Sequence, residues 1–410
     1  MIEHLRRLAF LATGMIAGCA FQPSPEGSVA GGCAPGACPA CPVCPGPPAT
    51  LPRVNPLEQV DFSALTGWKD GEHAAAWNAL LASCRALRWR EAWRRVCARA
   101  TELRTPSDEE ARRFLEDHFV PWRLANPDGA PEGVITGYYE PLLRGSRRRA
   151  APYLHPLYGP PDDLLTIDLA TVNPELRGLR LRGRVEGKRV VPYYSRAEIA
   201  RGAAPVAGKE ILWVDDPIEA FFLQVQGSGR VQLEGGETLR LGYADQNGHP
   251  FQSIGRYLVE RGELKLEEAS MQSIKSWAAA NPQRLEELLD QNPSFVFFRE
   301  LPLANPASGP VGAFGVPLTP GRSIAVDPRY IPLGAPVFLA TTFPASATPL
   351  TRLVVAQDTG GAIRSPVRAD FFWGSGTDAG AQAGRMRQPG RMWVLLPKDL
   401  KPNAAGAVAP

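Results

Sequence analysis

The spacing of apolar positions changes several times along the 410-residue chain. Arg6 and Arg7 precede a short apolar run from Leu8 to Ala17. That run is too short to span a bilayer and has the basic-then-apolar order of a secretory signal over residues 1–18. Periodicity then gives way to Pro, Gly and Cys over residues 19–60, which predicts an extended linker. From Asp61 to about Ala125, apolar residues recur at intervals of three and four, as in "HAAAWNALLASCRAL" and "REAWRRVCARATEL". This spacing predicts helices. Ser107, followed by Asp108 and Glu109, predicts the capped start of another helix.

From Gly133 the period shifts towards that of strands. "GVITGYY" (133–139) stands alone, while "SFVFF" (294–298), "RSIAV" (322–326), "PVFLAT" (336–341), "RLVVAQ" (352–357) and "RMWVLL" (391–396) come late. The residues between hold shorter β-candidates, "KRVVPYY", "KEILWVDD" and "AFFLQVQ". Two helical stretches, "SIGRYLVERG" and "MQSIKSWAAANPQRLEELLDQ", close that segment. The pattern predicts a mainly β protein with N-terminal helices: a six-stranded β-barrel interrupted by an inserted β-rich domain. A cleft between two such domains is the default binding site.

Apolar residues make up 44% of the chain, enough for a sizeable core. A net charge of +3 lacks the concentrated basic face that nucleic-acid binding needs. Cysteine positions add more. The sequence Ile16-Ala17-Gly18-Cys19 resembles the lipobox of bacterial lipoproteins, with Cys19 as the lipidated first residue after cleavage. Ala20 is not the Asp that retains such proteins at the inner membrane, so an outer-membrane anchor facing the periplasm is implied. Of Cys33, Cys38, Cys41 and Cys44, the last three have C-x-x-C spacings, without a second ligand cluster, which leaves disulfides, a metal or an unstructured tether open. Cys84 and Cys97 fall on the first two predicted helices; in an oxidising compartment they either form a disulfide or stay as buried thiols.

Candidate chemistry centres on Asp358 in D-T-G and on Asp370. Aspartic proteases need two carboxylates sharing a proton, each from its own D-T/S-G in single-chain forms, and this chain has only one. Glycoside cleavage instead needs a carboxylic acid that protonates a poor leaving oxygen. Asp370 precedes Phe371, Phe372 and Trp373. These rings either desolvate it and stack on sugars, or belong to the core. Asp358 follows "RLVVAQ" and is expected at a strand end. There it would brace a turn with Thr359, Gly360 and Gly361, or assist electrostatically.

"DTGGAIRSPVRADFFWGSGTDAGAQAGRM" resembles the 3D domain, named for three aspartates, here Asp327, Asp358 and Asp370. With "GYYEP" (137–141), "FFLQVQGSGR" (221–230), "GYADQNGHPFQSIGRYL" (242–258) and "NPSFVFF" (292–298), residues 61 to 400 resemble the membrane-bound lytic transglycosylase A family. The resemblance implies a double-psi β-barrel formed by residues 61–142 with 294–400, an inserted groove domain at 143–293, and a tail at 401–410. It implies cleavage of the β-1,4 bond between N-acetylmuramic acid and N-acetylglucosamine in peptidoglycan, closing a 1,6-anhydro ring without water. Asp370 would act as acid and then base, with Asp358 assisting and no cofactor or metal required. Thr136, Tyr138, Tyr139, Gln226, Gly227, Ser228 and Gly229 would hold the glycan strand. Asp327 and His249 read as structural, and Asp245 and Asp378 as surface or turn acids. Two rival readings are a muramidase using both aspartates with water, and a non-catalytic wall-binding lipoprotein.

Overall fold

The computed structural model describes residues 55–173, 176, 181–303 and 308–402. The signal segment, Cys19 and the four linker cysteines lie outside the described residues. The linker expectation ends too late: Leu57–Gln59 already forms a strand, with Leu57 in the core.

Three helices follow, Trp77–Leu87, Glu91–Glu102 and Asp108–His118. Each buries one apolar stripe, including Leu80, Cys84 and Leu87 on the first and Trp93, Val96 and Cys97 on the second. Ser107 caps the third in a reciprocal pair with Glu110, satisfying amides that the first turn leaves unpaired. Cys84 and Cys97 are bonded as a disulfide that ties the first two helices together. The helical stretch ends earlier than its pattern suggests, because Phe119–Leu124 is a strand paired with Arg387–Pro397.

Eight strands form the largest sheet. Within it, six strands pair in a closed circuit: Gly133–Glu140, Arg368–Ser375, Ser323–Val326, Pro349–Asp358, Pro336–Thr342 and Arg387–Pro397, which returns to Gly133–Glu140. The chain is thus mainly β with helices. Five of these six strands match β-rich runs in the sequence. The sixth does not: "SFVFF" belongs to another sheet, and its place is taken by Arg368–Ser375, which carries Asp370. The charged Arg368 and Asp370 break the apolar run there, so the segment reads more as a motif than as a strand.

A second sheet has six strands in the order Val296–Leu301, Thr238–Gln246, Ser228–Leu233, Leu142–Ser146, Glu210–Val214 and His155–Tyr158. Leu165–Ile167, Leu181–Glu186 and Arg189–Pro192 form a third, smaller sheet. The β-candidate "AFFLQVQ" is instead the helix Pro217–Gln226. Its apolar run has no clear period, but its ends are marked. Asp216 accepts the N–H groups of Ile218 and Glu219, Pro217 occupies the first turn, and Gly227 takes the left-handed conformation at φ 80°.

A buried ion cluster joins the six-strand circuit to the second sheet. Glu140, fully buried at the end of its strand, accepts Arg230 Nε at 2.8 Å, Arg240 Nε at 2.8 Å and Ser375 Oγ at 2.6 Å. Arg230 and Arg240 come from the second sheet, Ser375 from the circuit. The described core clusters draw only on residues from Leu57 onward, and residues 51–410 form one compact unit that carries its own core.

Two stability outcomes follow from these links. Replacing both Cys84 and Cys97 by Ala frees a short loop in the unfolded chain, and the denaturant midpoint is expected to fall by an equivalent of about 3 kcal/mol. Glu140→Ala leaves the buried Arg240 and the partly buried Arg230 without their shared carboxylate, and chemical unfolding is expected to show a loss of about 3–5 kcal/mol.

Candidate active site

One row of residues crosses five strands at the same level. Ala325 has two register partners, Asp358 on its parallel neighbour and Asp370 on its antiparallel neighbour. Asp370 pairs in turn with Thr136, and Thr136 with Arg387. Register partners present their side chains on one face of a sheet. Two strand spacings separate the aspartates, so their backbones lie about 10 Å apart. Tyr138, two residues beyond Thr136, shares this face. Its hydroxyl donates to Asp358 Oδ2 at 3.1 Å, and its ring packs on Phe372 with centroids 5.2 Å apart.

Asp358 reaches this row through a bulge. Val355 and Ala356 pair with Ser323 and Ile324; Gln357 is then passed over, and Asp358 meets Ala325. The displaced Gln357 is fully buried. Its side-chain N–H₂ donates to Ala79 O at 2.8 Å and Ser83 Oγ at 2.9 Å, and its Oε1 accepts the Ser323 hydroxyl at 2.6 Å. The N-terminal helix therefore holds the residue next to the carboxylate.

The two acids have different surroundings. Asp358 Oδ1 accepts the backbone N–H of Ala313 at 2.8 Å and of Thr359 at 2.9 Å. Burial pushes the Asp358 carboxyl above the usual carboxylate range; these two amides and Tyr138 offset part of the rise, and the charge of Asp370 adds to it. The Tyr138 hydroxyl is held well above its ordinary value by burial and by the Asp358 charge, which keeps it a donor. Asp370 is 25% exposed, and its Oδ1 accepts Arg368 Nη1 at 2.7 Å. Among the described residues no donor occupies its Oδ2. Asp358 is thus held by three protein donors, whereas Asp370 has one oxygen without a donor among the described residues.

The aromatic residues after Asp370 are core rather than sugar platforms. Phe371 and Phe372 are fully buried, and Trp373 packs on Phe371, Phe343 and Met386. The neighbour of the Asp370 carboxylate is Arg368. Strand alternation puts residues two apart on one face, so that contact is visible in "RAD" once the segment is read as a strand.

The sequence-predicted binding residues divide. Thr136 and Tyr138 stand on the same face as the aspartates. Tyr139 points away: it is 5% exposed, packs under Ala379 and Ala383, and its hydroxyl meets Met271 Sδ at 3.7 Å. It contributes through its backbone, whose N–H donates to Gln226 Oε1 at 3.0 Å. That bond brings the helix end Gln226–Gly227 and the half-buried Ser228 beside the Gly133–Glu140 strand. A Cβ on Gly227 would meet nothing within 4 Å, so its backbone is open to a ligand. Gly229 is different: a Cβ there would come 2.3 Å from Leu223 Cδ1, so its bareness serves helix–strand packing.

The residues read as structural are all partnered or placed. Asp327 is buried and ion-paired to Arg329. One His249 ring nitrogen lies 2.7 Å from Tyr193 O. Asp245 is ion-paired to Arg182, and Asp378 lies in the first turn of Gly376–Ala383. Among the described residues no group of three or more His, Cys, Asp or Glu is arranged to hold a metal.

Comparison with known proteins gives this arrangement a class. Residues 134–299 match the MltA-specific insert domain and residues 322–396 match the 3D domain. The chain is therefore a 3D-domain protein with an MltA-type insert. It is 35% identical over 283 residues to membrane-bound lytic murein transglycosylase A of Escherichia coli K12, covering 67% of this chain and 68% of that protein. The crystal structure of MltA from Neisseria gonorrhoeae superposes with a TM-score of 0.73 at 40% identity, covering 86% and 94% of the two chains. E. coli MltA with bound chitohexaose gives 0.63 at 27% identity, covering 83% and 94%. The chain belongs to the membrane-bound lytic murein transglycosylase A family.

The raised Asp358 acid has a consequence for stability. The folded state holds that proton more tightly than the unfolded chain does. Asp358 therefore costs no stability below the ordinary carboxylate range and costs progressively more as pH rises through and above it. Asp358→Asn keeps the shape and removes the charge. Its melting temperature is expected to match or exceed the parent's at neutral pH, and the two curves should converge as pH falls below the ordinary range.

Proposed function

We propose that this chain is a lytic transglycosylase that cleaves the β-1,4 bond between N-acetylmuramic acid and N-acetylglucosamine in peptidoglycan, with Asp370 as its single acid–base group. The observation that carries the assignment is the unequal placement of the two acids. Asp358 has donors on both oxygens, while Asp370, level with it across Ala325, presents a partly exposed carboxyl with an unoccupied oxygen. The family relatives carry the name lytic murein transglycosylase, and one was solved with chitohexaose, a glycan oligomer.

The reaction needs one carboxyl. Protonated Asp370 gives its proton to the glycosidic oxygen as the C1–O bond breaks, which releases the N-acetylglucosamine 4-hydroxyl. The muramic C6 oxygen bonds to C1, and the Asp370 carboxylate takes the C6 hydroxyl proton. The acid is regenerated and no water is consumed. The nucleophile belongs to the substrate, so proximity replaces a second catalytic carboxylate. Asp358 acts on the site through Tyr138 and through its own charge. Thr136 and Tyr138 line one wall of the strand groove, and Gln226, Gly227 and Ser228 the other.

The fold and the location complete the reading. The closed six-strand circuit is the double-psi barrel of residues 61–142 with 294–400, and residues 143–293 are the inserted domain. The pairing of Val296–Leu301 with the second sheet extends the insert by several residues. Cys19 carries the lipid that anchors the protein to the outer membrane, facing the periplasm. Among the described residues no helix is long and apolar enough to cross a membrane.

Asp370→Asn is expected to lower turnover on purified sacculi by at least about a thousandfold while strand binding by co-sedimentation persists. Mass spectra of the parent's digests should show muropeptides about 18 Da lighter than hydrolysis products, the mass of one water. Full activity of the variant removes Asp370 from its role, and hydrated products in the parent digest favour the two-carboxylate muramidase.

A further inference from the structure

Trp89 is 78% exposed, more than any other large apolar side chain described. It lies in the tight connection Arg88–Arg90 between the first two helices, with the Arg88 guanidinium over its ring, 4.8 Å from the centroid. Arg85, Arg90, Arg94 and Arg95 are exposed on the same connection and its flanking turns. Among the described residues none of these five arginines makes a side-chain hydrogen bond or ion pair. From Arg85 to Arg95 the only acid is Glu91. The tip is held in shape from below, by the Cys84–Cys97 disulfide and by the buried Leu87 and Trp93.

This is an unusual use of surface. Arginines on a solvated face commonly find carboxylates, as Arg99 does with Glu102 at the far end of the second helix. An exposed indole among unpaired guanidinium groups meets its chemical preferences at a lipid–water boundary. There the ring sits at headgroup depth, and guanidinium forks match phosphate oxygens. We propose that the Arg85–Arg95 tip docks on the anionic headgroup surface of a bilayer. The shape of the site favours this over a second glycan contact. Sugars are held in concave sites by convergent polar groups, whereas this tip is a turn between two helices. Docking would give the folded unit a preferred orientation on the membrane, and it is independent of the glycan reading.

The test uses the unit from Leu51 onward, which contains every described core residue, so no leader or lipid contributes. Co-sedimentation with vesicles of phosphatidylglycerol and phosphatidylethanolamine is compared with vesicles of phosphatidylcholine alone, at low and high salt. The expected result is binding to the anionic vesicles that weakens with salt. Trp89→Ser combined with Arg88→Gln is expected to weaken it by about tenfold or more, and Arg94→Gln with Arg95→Gln to do likewise. Melting temperature and turnover on sacculi should not change, because none of these residues touches the row at Asp370. The proposal is overturned by any of three results: parent protein that ignores anionic vesicles, equal binding to both vesicle types, or variants that bind like the parent. Loss of sacculus binding without loss of vesicle binding would reassign the tip to the wall.

Discussion

One extra residue decides which face of the sheet Asp358 occupies. Without the bulge at Gln357, that residue would stand level with Ala325, and the Asp358 carboxylate would turn to the opposite face. A bulge persists only if the displaced residue is satisfied elsewhere. Gln357 is buried with three hydrogen bonds, two of them to the helix Trp77–Leu87. Losing those partners would leave a buried amide unpaired, at about 1–3 kcal/mol per group. The helix is fixed in turn by its buried stripe and by the disulfide at Cys84, adjacent to Ser83. An N-terminal region that supplies no residue to the row therefore sets its register.

A second constraint lies at the other end of the site. Glu140 closes the Gly133–Glu140 strand and holds Arg230 and Arg240 from the second sheet together with Ser375 from the circuit. Buried charges are retained poorly unless they are paired and fully hydrogen-bonded, and here one carboxylate serves two guanidinium groups. Three residues separate Glu140 from Thr136 along the strand, and Arg230 follows the Gln226–Gly229 segment directly. The cluster thus fixes the two candidate groove walls from behind, while the Gln226–Tyr139 bond fixes them nearer the site.

Elements with a clear period or a capping signal could be read from the sequence. The three N-terminal helices, the Ser107 start and five strands of the circuit carry such signals. The Pro217–Gln226 helix does not, because it is buried on most sides and its apolar run lacks a polar face; only Asp216-Pro217 and Gly227 mark its ends. The Asp370 strand is hidden for the opposite reason, since Arg368 and Asp370 stand where a strand pattern expects apolar residues. At the site, Asp358, Asp370, Thr136 and Tyr138 could be named from sequence. Arg368, Gln357 and Ala313 could not: the Arg368 contact appears only once its segment is read as a strand, and those of Gln357 and Ala313 depend on a bulge and a loop that bring residues together across long sequence distances. Of the two readings of the aromatic run, core is the one realised: neighbours in sequence alternate between faces of a strand, so Phe371 and Trp373 lie on the face away from Asp370, and Phe372, on its own face, is buried against Tyr138.

The row also explains why two aspartates need not share one job. Each lies one strand away from Ala325, yet every contact of Asp358 is internal: two amides, one phenol and a turn. Such a carboxyl is fixed in a partly dehydrated place that disfavours its charged form, and its nearest link to the row is Tyr138. Asp370 instead has one guanidinium on one oxygen and no protein donor on the other among the described residues, and its side chain is partly open to solvent. A group that must give a proton and then take one back needs that access at both moments. A group whose oxygens are committed to the fold does not have it. The asymmetry therefore arises from hydrogen bonding rather than from distance, and it favours the less restrained acid, Asp370, for the proposed proton transfers.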